Sequence, residues 1–258
     1  MSDWTGELQA AVTAARAAAV EHQRFRSDKG ISSKSTDIDL VTRADVAAED
    51  AIRSVLLAAF PDDAILGEEG GEAGDGARRW VVDPLDGTLN YAHDFPYWAV
   101  SIALEADGEL VVAVVLDVCR DELFTAIRGQ GARRNGDPIA VSTEPELRRS
   151  MLATGFAYQP AQMAENLVLF SRLLPLARAI RRPGAAALDL AAVACGRYDG
   201  FWELYLQPWD VAAGTLLIRE AGGRVTDGSG ADGRITDRMI VASNGALHPA
   251  LLGALGES

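Results

Sequence analysis

Apolar residues recur at helical spacing from Gly6 to about Gln23, where Leu8, Val12, Ala15 and Ala19 share one face. The spacing returns from about Asp45 to Phe60, with Val46, Ile52, Val55 and Leu56 inward and Pro61 ending the run. Between these helices Ser32-Ser33-Lys34-Ser35-Thr36-Asp37 reads as a polar loop. Ala64-Ile65-Leu66 reads as a short strand, and the stretch from Gly70 to Gly76 as a flexible acidic connection. Ala99 to Leu104 and Leu110 to Val115 flank Asp107-Gly108, which predicts an antiparallel hairpin, and a further strand is expected from Glu122 to Ala126. From Met151 onward short strands alternate with helices at about Ala161 to Ala177, Ala185 to Cys195 and Asp210 to Ala221. Strand runs followed by alternation predict an α+β half over residues 1–150 and an α/β half over 151–258. No repeat or linker separates them, so the halves are expected to share one body.

Composition narrows the function. The 258 residues are 48% apolar, enough for a substantial core. The net charge of −13, from 37 acidic and 24 basic residues, argues against a nucleic-acid-binding face. Cys119 and Cys195 lack CxxC spacing and are expected to be buried free thiols of a reducing compartment. The first residues have no secretory pattern and no run approaches a membrane span, which predicts a cytoplasmic protein without a membrane partner.

Two apolar runs break abruptly into carboxylates and glycine: Leu66-Gly67-Glu68-Glu69-Gly70 and Trp80-Val81-Val82-Asp83-Pro84-Leu85-Asp86-Gly87-Thr88. Such a break is how a buried strand presents ligands at its end. Crowded carboxylates repel unless a cation sits among them, and oxygen-only donors suit a hard divalent ion, above all Mg²⁺. Pro84 holds Asp83 extended and Gly87 lets backbone amides approach a ligand, so Asp83 and Asp86 can face one cation cluster. A helix starting near Thr88 would free the amides of Gly87 and Thr88 for a phosphate. Asp210 opens another helix in Trp209-Asp210-Val211-Ala212-Ala213-Gly214. Taken singly, Asp210 is a helix cap and Asp86 a turn residue; the acids together point to metal-dependent phosphate chemistry.

These motifs resemble the signature blocks of the Mg²⁺-dependent, lithium-sensitive inositol monophosphatases. Glu68-Glu69, Asp83 to Asn90 with Phe95-Pro96-Tyr97-Trp98-Ala99-Val100-Ser101, and Trp209 to Gly214 through Glu220-Ala221-Gly222-Gly223 carry the likeness, as do Lys34 and the block from Asp39 to Asp45. The likeness covers nearly the whole chain. It implies a layered αβαβα sandwich, two to three Mg²⁺ per subunit and a homodimer. One metal would sit on Glu68, Asp83 and the Leu85 carbonyl, the second on Asp83, Asp86 and Asp210, and a weaker third on Glu68 and water. Glu68, and the Thr88 hydroxyl paired with Asp45, would orient and deprotonate the attacking water, with Lys34 as a nearby charge. Asp86, Gly87, Thr88 and Asp210 would contact the substrate.

Substrate choice falls to the later half. Glu203 matches the position at which inositol-specific members hold a ring hydroxyl, and a carboxylate suits a polyol. By resemblance Gly184, Ala185 and Ala186 line the same pocket, and Arg181 reaches the substrate or a neighbouring subunit. The chain departs from the pattern at Ala185, where many relatives carry Ser or Thr, so one hydroxyl contact is missing. The implied substrate is myo-inositol 1-phosphate or a related polyol phosphate. Histidinol phosphate, a nucleotide 3′,5′-bisphosphate and fructose 1,6-bisphosphate are the alternatives within the class, and a regulatory protein-binding role with a vestigial site lies outside it. Other motifs fail. Asp227 to Gly233 breaks the calcium-loop pattern at Asp232 and Arg238, and Gly129 to Arg134 lacks the third glycine of a dinucleotide loop. His22, His93 and His248 are scattered, which argues against zinc or a phosphohistidine.

Overall fold

The computed structural model describes residues 3–34 and 40–256; Ser35, Thr36 and Asp37 of the polar loop and Asp39 of the amino-terminal block lie outside the described residues. The chain opens with α1 (Thr5–Arg24), the two-residue strands β1 (Ser32–Ser33) and β2 (Leu40–Val41), and α2 (Arg43–Ala59). β3 (Ala64–Gly67), β4 (Gly71–Ala73) and β5 (Arg78–Asp86) lead into the short α3 (Thr88–Ala92). Then come β6 (Ala99–Ala106), β7 (Glu109–Asp117), β8 (Glu122–Ile127), β9 (Ala132–Arg134) and β10 (Asp137–Pro138). The later part runs β11 (Met151–Thr154), α4 (Pro160–Leu173), β12 (Ala179–Arg181), α5 (Ala186–Ala194), β13 (Gly200–Leu204) and α6 (Pro208–Glu220). It ends with β14 (Arg224–Thr226), β15 (Met239–Ser243) and α7 (His248–Gly256).

Among the described residues eight strands form one sheet in the order β10-β9-β8-β7-β6-β5-β3-β4, and five form another in the order β12-β11-β13-β15-β14. Alternation along β6 lets the first sheet serve two cores. Val100, Ile102 and Leu104 pack against alanines of α1 and Ile52 and Leu56 of α2, while Ala99 and Ala103 join the cluster built on α5 and α6. The second sheet gives Phe201 and Ala242 to that same cluster, and Trp202 and Val241 to one shared with Leu173 of α4 and Leu251 of α7. The layers are therefore helix, sheet, helix, sheet, helix. α5 and α6 lie close in the middle, where a Cβ at Gly214 would come within 2.5 Å of the Leu190 side chain.

Packing shifts some expected faces. The inward stripe of α1 is Ala11, Ala14, Ala15, Ala18 and His22, leaving Leu8, Val12 and Ala19 at its margins, because α1 lies against α2 and small residues let the two approach. Val46 is 49% exposed; Ala44, Asp45, Ala48 and Glu49 take the inward side of α2. The acidic stretch after Gly70 is no free connection, since β4 pairs antiparallel with β3 at the sheet edge. Cys119 and Cys195 are free but only half-buried. No described helix is long and apolar enough to cross a membrane.

His22 joins α1 to the acidic motif. Its Nε2 lies 2.9 Å from the Pro84 carbonyl oxygen and so carries the ring proton, and Tyr91 donates its hydroxyl to the His22 carbonyl at 2.8 Å. Burial pushes the imidazole down to about 4 from an ordinary 6.5. The folded ring thus stays neutral where the unfolded ring takes up a proton, and its stabilisation is complete above pH 6.5 and lost as the pH falls towards 4. The stability advantage of wild type over His22→Gln, measured by urea unfolding, is expected to shrink by roughly 3 kcal/mol across that window. A pH-independent advantage would contradict a ring held neutral.

Candidate active site

β5 pairs with β6 as far as Asp83 opposite Ser101, and pairing resumes with Asp86 opposite Ala99, three steps on one strand against two on the other. This is a bulge, placed at Pro84, which has no N–H to give to the ladder. In an unbroken strand residues three apart face opposite sides; the extra residue lets Asp83 and Asp86 turn to the same side. β3 runs parallel to β5 with Gly67 opposite Val82, so Glu68 leaves the sheet level with Asp83. Asp210 comes from the start of α6. It is the third helical residue, after Pro208, and its Oδ2 accepts the Gln207 N–H at 2.7 Å, so Gln207 and not Asp210 is the cap.

All four acids line one cavity of about 380 Å³. Burial first, then repulsion from Glu68, Asp86 and Asp210, raises the Asp83 carboxyl well above the ordinary carboxylate range. Asp210 is raised in the same way, by burial and Glu68, against the Gln207 amide. Asp86 is pushed up to about 7 by burial, although the Ala187 and Ala186 amides at the start of α5 donate to it at 2.8 and 3.1 Å. Lys34 Nζ lies 2.7 Å from Glu68 Oε1 and also pairs with Glu69. Burial alone would lower the lysine, but these two acids more than reverse it.

As they stand, no three or more acid, histidine or cysteine side chains among the described residues close on one point. The donor chemistry nevertheless fits a hard divalent cation. Buried carboxylates that raise one another, with a single ammonium among their ion-pair partners in the described residues, are left short of positive charge.

Two neighbours steady this end of the cavity. Thr88 Oγ1 lies 3.0 Å from both Asp45 Oδ1 and the Leu85 carbonyl, and Asp45 Oδ2 accepts from the Thr42 amide and hydroxyl. Burial pushes Asp45 up to about 6, against the Thr42 bonds. The other neighbour, Glu49, escaped the sequence reading. Its Oε2 accepts the Glu69 N–H at 2.8 Å, and its Oε1 accepts the Gly70 N–H at 2.9 Å and Arg53 Nε at 2.8 Å; Arg53 also donates to the Gly71 carbonyl. A Cβ at Gly67 would fall 2.4 Å from Glu49 Oε1, which is why glycine precedes Glu68. The detectable signal was an acid and an arginine four apart on the inward side of α2.

Gly184, Ala185, Ala186 and Glu203 also line this cavity. Ala186 is already engaged through its amide with Asp86. Arg181 does not reach the cavity: it is exposed and donates to the Ile180 carbonyl, while its neighbour Arg182 lines the wall, over the Phe156 ring at 6.0 Å. Burial and then Asp210 and Asp189 raise Glu203 well above the carboxylate range. Room for its carboxylate exists because residue 155 is glycine; a Cβ there would lie 2.1 Å from Glu203 Oε1.

A family model described as the inositol monophosphatase family matches residues 3–258. A Pseudomonas aeruginosa protein named Nus factor SuhB is 48% identical over 83% of this chain and 82% of its own length. A Synechocystis protein named inositol-1-monophosphatase is 44% identical over 87% of this chain and 79% of its own. The crystal structure of the extragenic suppressor protein suhB from Bartonella henselae superposes with a TM-score of 0.92 at 41% identity, covering 97% of this chain and 98% of that one. The fold, the gathered acids and these matches together make the chain a member of the inositol monophosphatase family.

Proposed function

We propose that this protein is a Mg²⁺-dependent phosphomonoesterase acting on myo-inositol 1-phosphate or a related polyol phosphate. The observation that carries the reading is the convergence of Glu68, Asp83, Asp86 and Asp210 on one cavity with too little positive charge. These acids and the Leu85 carbonyl would hold the metal. A hard divalent ion held there would neutralise the acids and would draw charge from a phosphoryl group. The remaining work belongs to side chains. The Thr88 hydroxyl can orient a water while passing its own proton to Asp45, whose pKa of about 6 suits a base working near neutrality. Glu68 holds the same water from the other motif. Gly87, at φ 95°, turns the chain into α3 and leaves amides at its start without helical acceptors, available to phosphate oxygens. Glu203, with no hydrogen bond among the described residues, accepts a substrate hydroxyl. With this reading go the family's lithium sensitivity, a homodimer and a cytoplasmic location.

Relatives named Nus factor favour a second reading, in which the chain also serves a protein partner. Met163, Leu167 and Val168 of α4, with Leu174 and Leu176 just beyond, expose an apolar face such a partner could cover. Stoichiometric capture of a protein by a form that turns over no phosphate ester would favour it.

Phosphate release from a panel of myo-inositol 1-phosphate, histidinol phosphate, a nucleotide 3′,5′-bisphosphate and fructose 1,6-bisphosphate, with Mg²⁺ titrated and Li⁺ added, tests the leading reading. Asp83→Asn and Asp210→Asn are each expected to lower kcat by at least about 100-fold; full activity in either would sink the metal assignment. Because Glu49 holds the loop bearing Glu68, Glu49→Gln is expected to raise the Mg²⁺ concentration for half-maximal activity about tenfold. An unchanged Mg²⁺ requirement would show that the loop keeps its shape without it.

A further inference from the structure

α5 is apolar at every position but one. The exception is Asp189, 1% exposed and one turn beyond Ala185, whose carbonyl accepts the Asp189 N–H at 3.0 Å. Tyr97 donates its hydroxyl to Asp189 Oδ1 at 2.8 Å. Oδ2 has no hydrogen-bond partner among the described residues, and the residue lines the cavity. Tyr97 by itself does not account for an acid here. A neutral amide would accept its hydroxyl without the cost of placing a carboxyl in an apolar helix. That cost is visible in the Asp189 carboxyl, which burial raises well above the ordinary range despite the Tyr97 bond. Glu203 is in the same position, buried in the same cavity with neither oxygen bonded among the described residues and close enough to Asp189 for the two to repel. Arg182 tempers both charges without pairing with either. Acceptors without donors, gathered around one space, complement a molecule rich in hydroxyls.

We propose that Asp189 is a specificity-determining residue whose Oδ2 accepts a second hydroxyl of a polyol phosphate, taking over the contact that Ala185, one turn earlier, cannot make. The inference rests on the polyol phosphatase reading above. It singles out substrates that donate to Glu203 and Asp189 at once, and disfavours esters with an anionic substituent at that end.

Steady-state kinetics on myo-inositol 1-phosphate and on p-nitrophenyl phosphate, an ester with no hydroxyls, test it. In Asp189→Asn the amide oxygen still serves Tyr97 while a donor replaces the free acceptor. KM for inositol phosphate should rise about tenfold, the loss of one charge-assisted bond, with kcat within about twofold and p-nitrophenyl phosphate kcat/KM within the same range. Adding Ala185→Ser to that variant should recover part of the lost KM, and Tyr97→Phe should keep the wild-type preference. Equal losses on both esters, or the same loss in Tyr97→Phe, would make Asp189 a structural partner of Tyr97 and overturn the proposal. Wild-type turnover of p-nitrophenyl phosphate without that of inositol phosphate or any related polyol phosphate would overturn the polyol reading itself, and this inference with it.

Discussion

Carboxylates gathered out of water repel one another, and most of the architecture around the cavity is restraint on that repulsion. Asp83 is held by the Leu85 amide, Asp86 by two amides of α5, Asp210 by the Gln207 amide, and the loop of Glu68 by the Glu49–Arg53 pair. Each restraint comes from a different element. No one layer of the sandwich could assemble the site, because the first sheet supplies two acids, the loop beyond β3 a third, and the middle helices a fourth together with the amides that hold Asp86.

The cavity divides along the same lines. One end is sheet and helix terminus, with the acids that would meet a metal. The other end is built from α5 and the loop ahead of it, the end of β13 and the segment after β11, and carries Glu203, Asp189 and Arg182. On the proposed reading, reaction chemistry and substrate choice would fall to different residues of the one cavity.

Much of the fold could be read from local pattern. The hairpin of β6 and β7 turns at Asp107 and Gly108, both at positive φ, and the alternation from Met151 onward became the second sheet and its helices. Glu68, Asp83 and Asp86 were legible because two apolar runs break at them, and Asp210 because it opens a helix. What stayed hidden depends on contacts between distant residues. Val46 obeys helical spacing, but α1 covers a different side of α2. Arg181 and Arg182 are equivalent in sequence, and only the backbone course after β12 decides which enters the cavity. His22 looked like an isolated histidine until Pro84 was found beside it, and Glu49 like any helical acid.

α5 and α6 are packed against both sheets at once, and this sets where the molecule can move. Freeing either sheet strips apolar cover from the other, so no seam exists along which the halves could part without losing the common core. The exposed stretch around Tyr158 and Gln159 lies outside that shared core and lines the cavity. The walls of the cavity behind that stretch belong to elements that share one core, so a change in either sheet is felt by both.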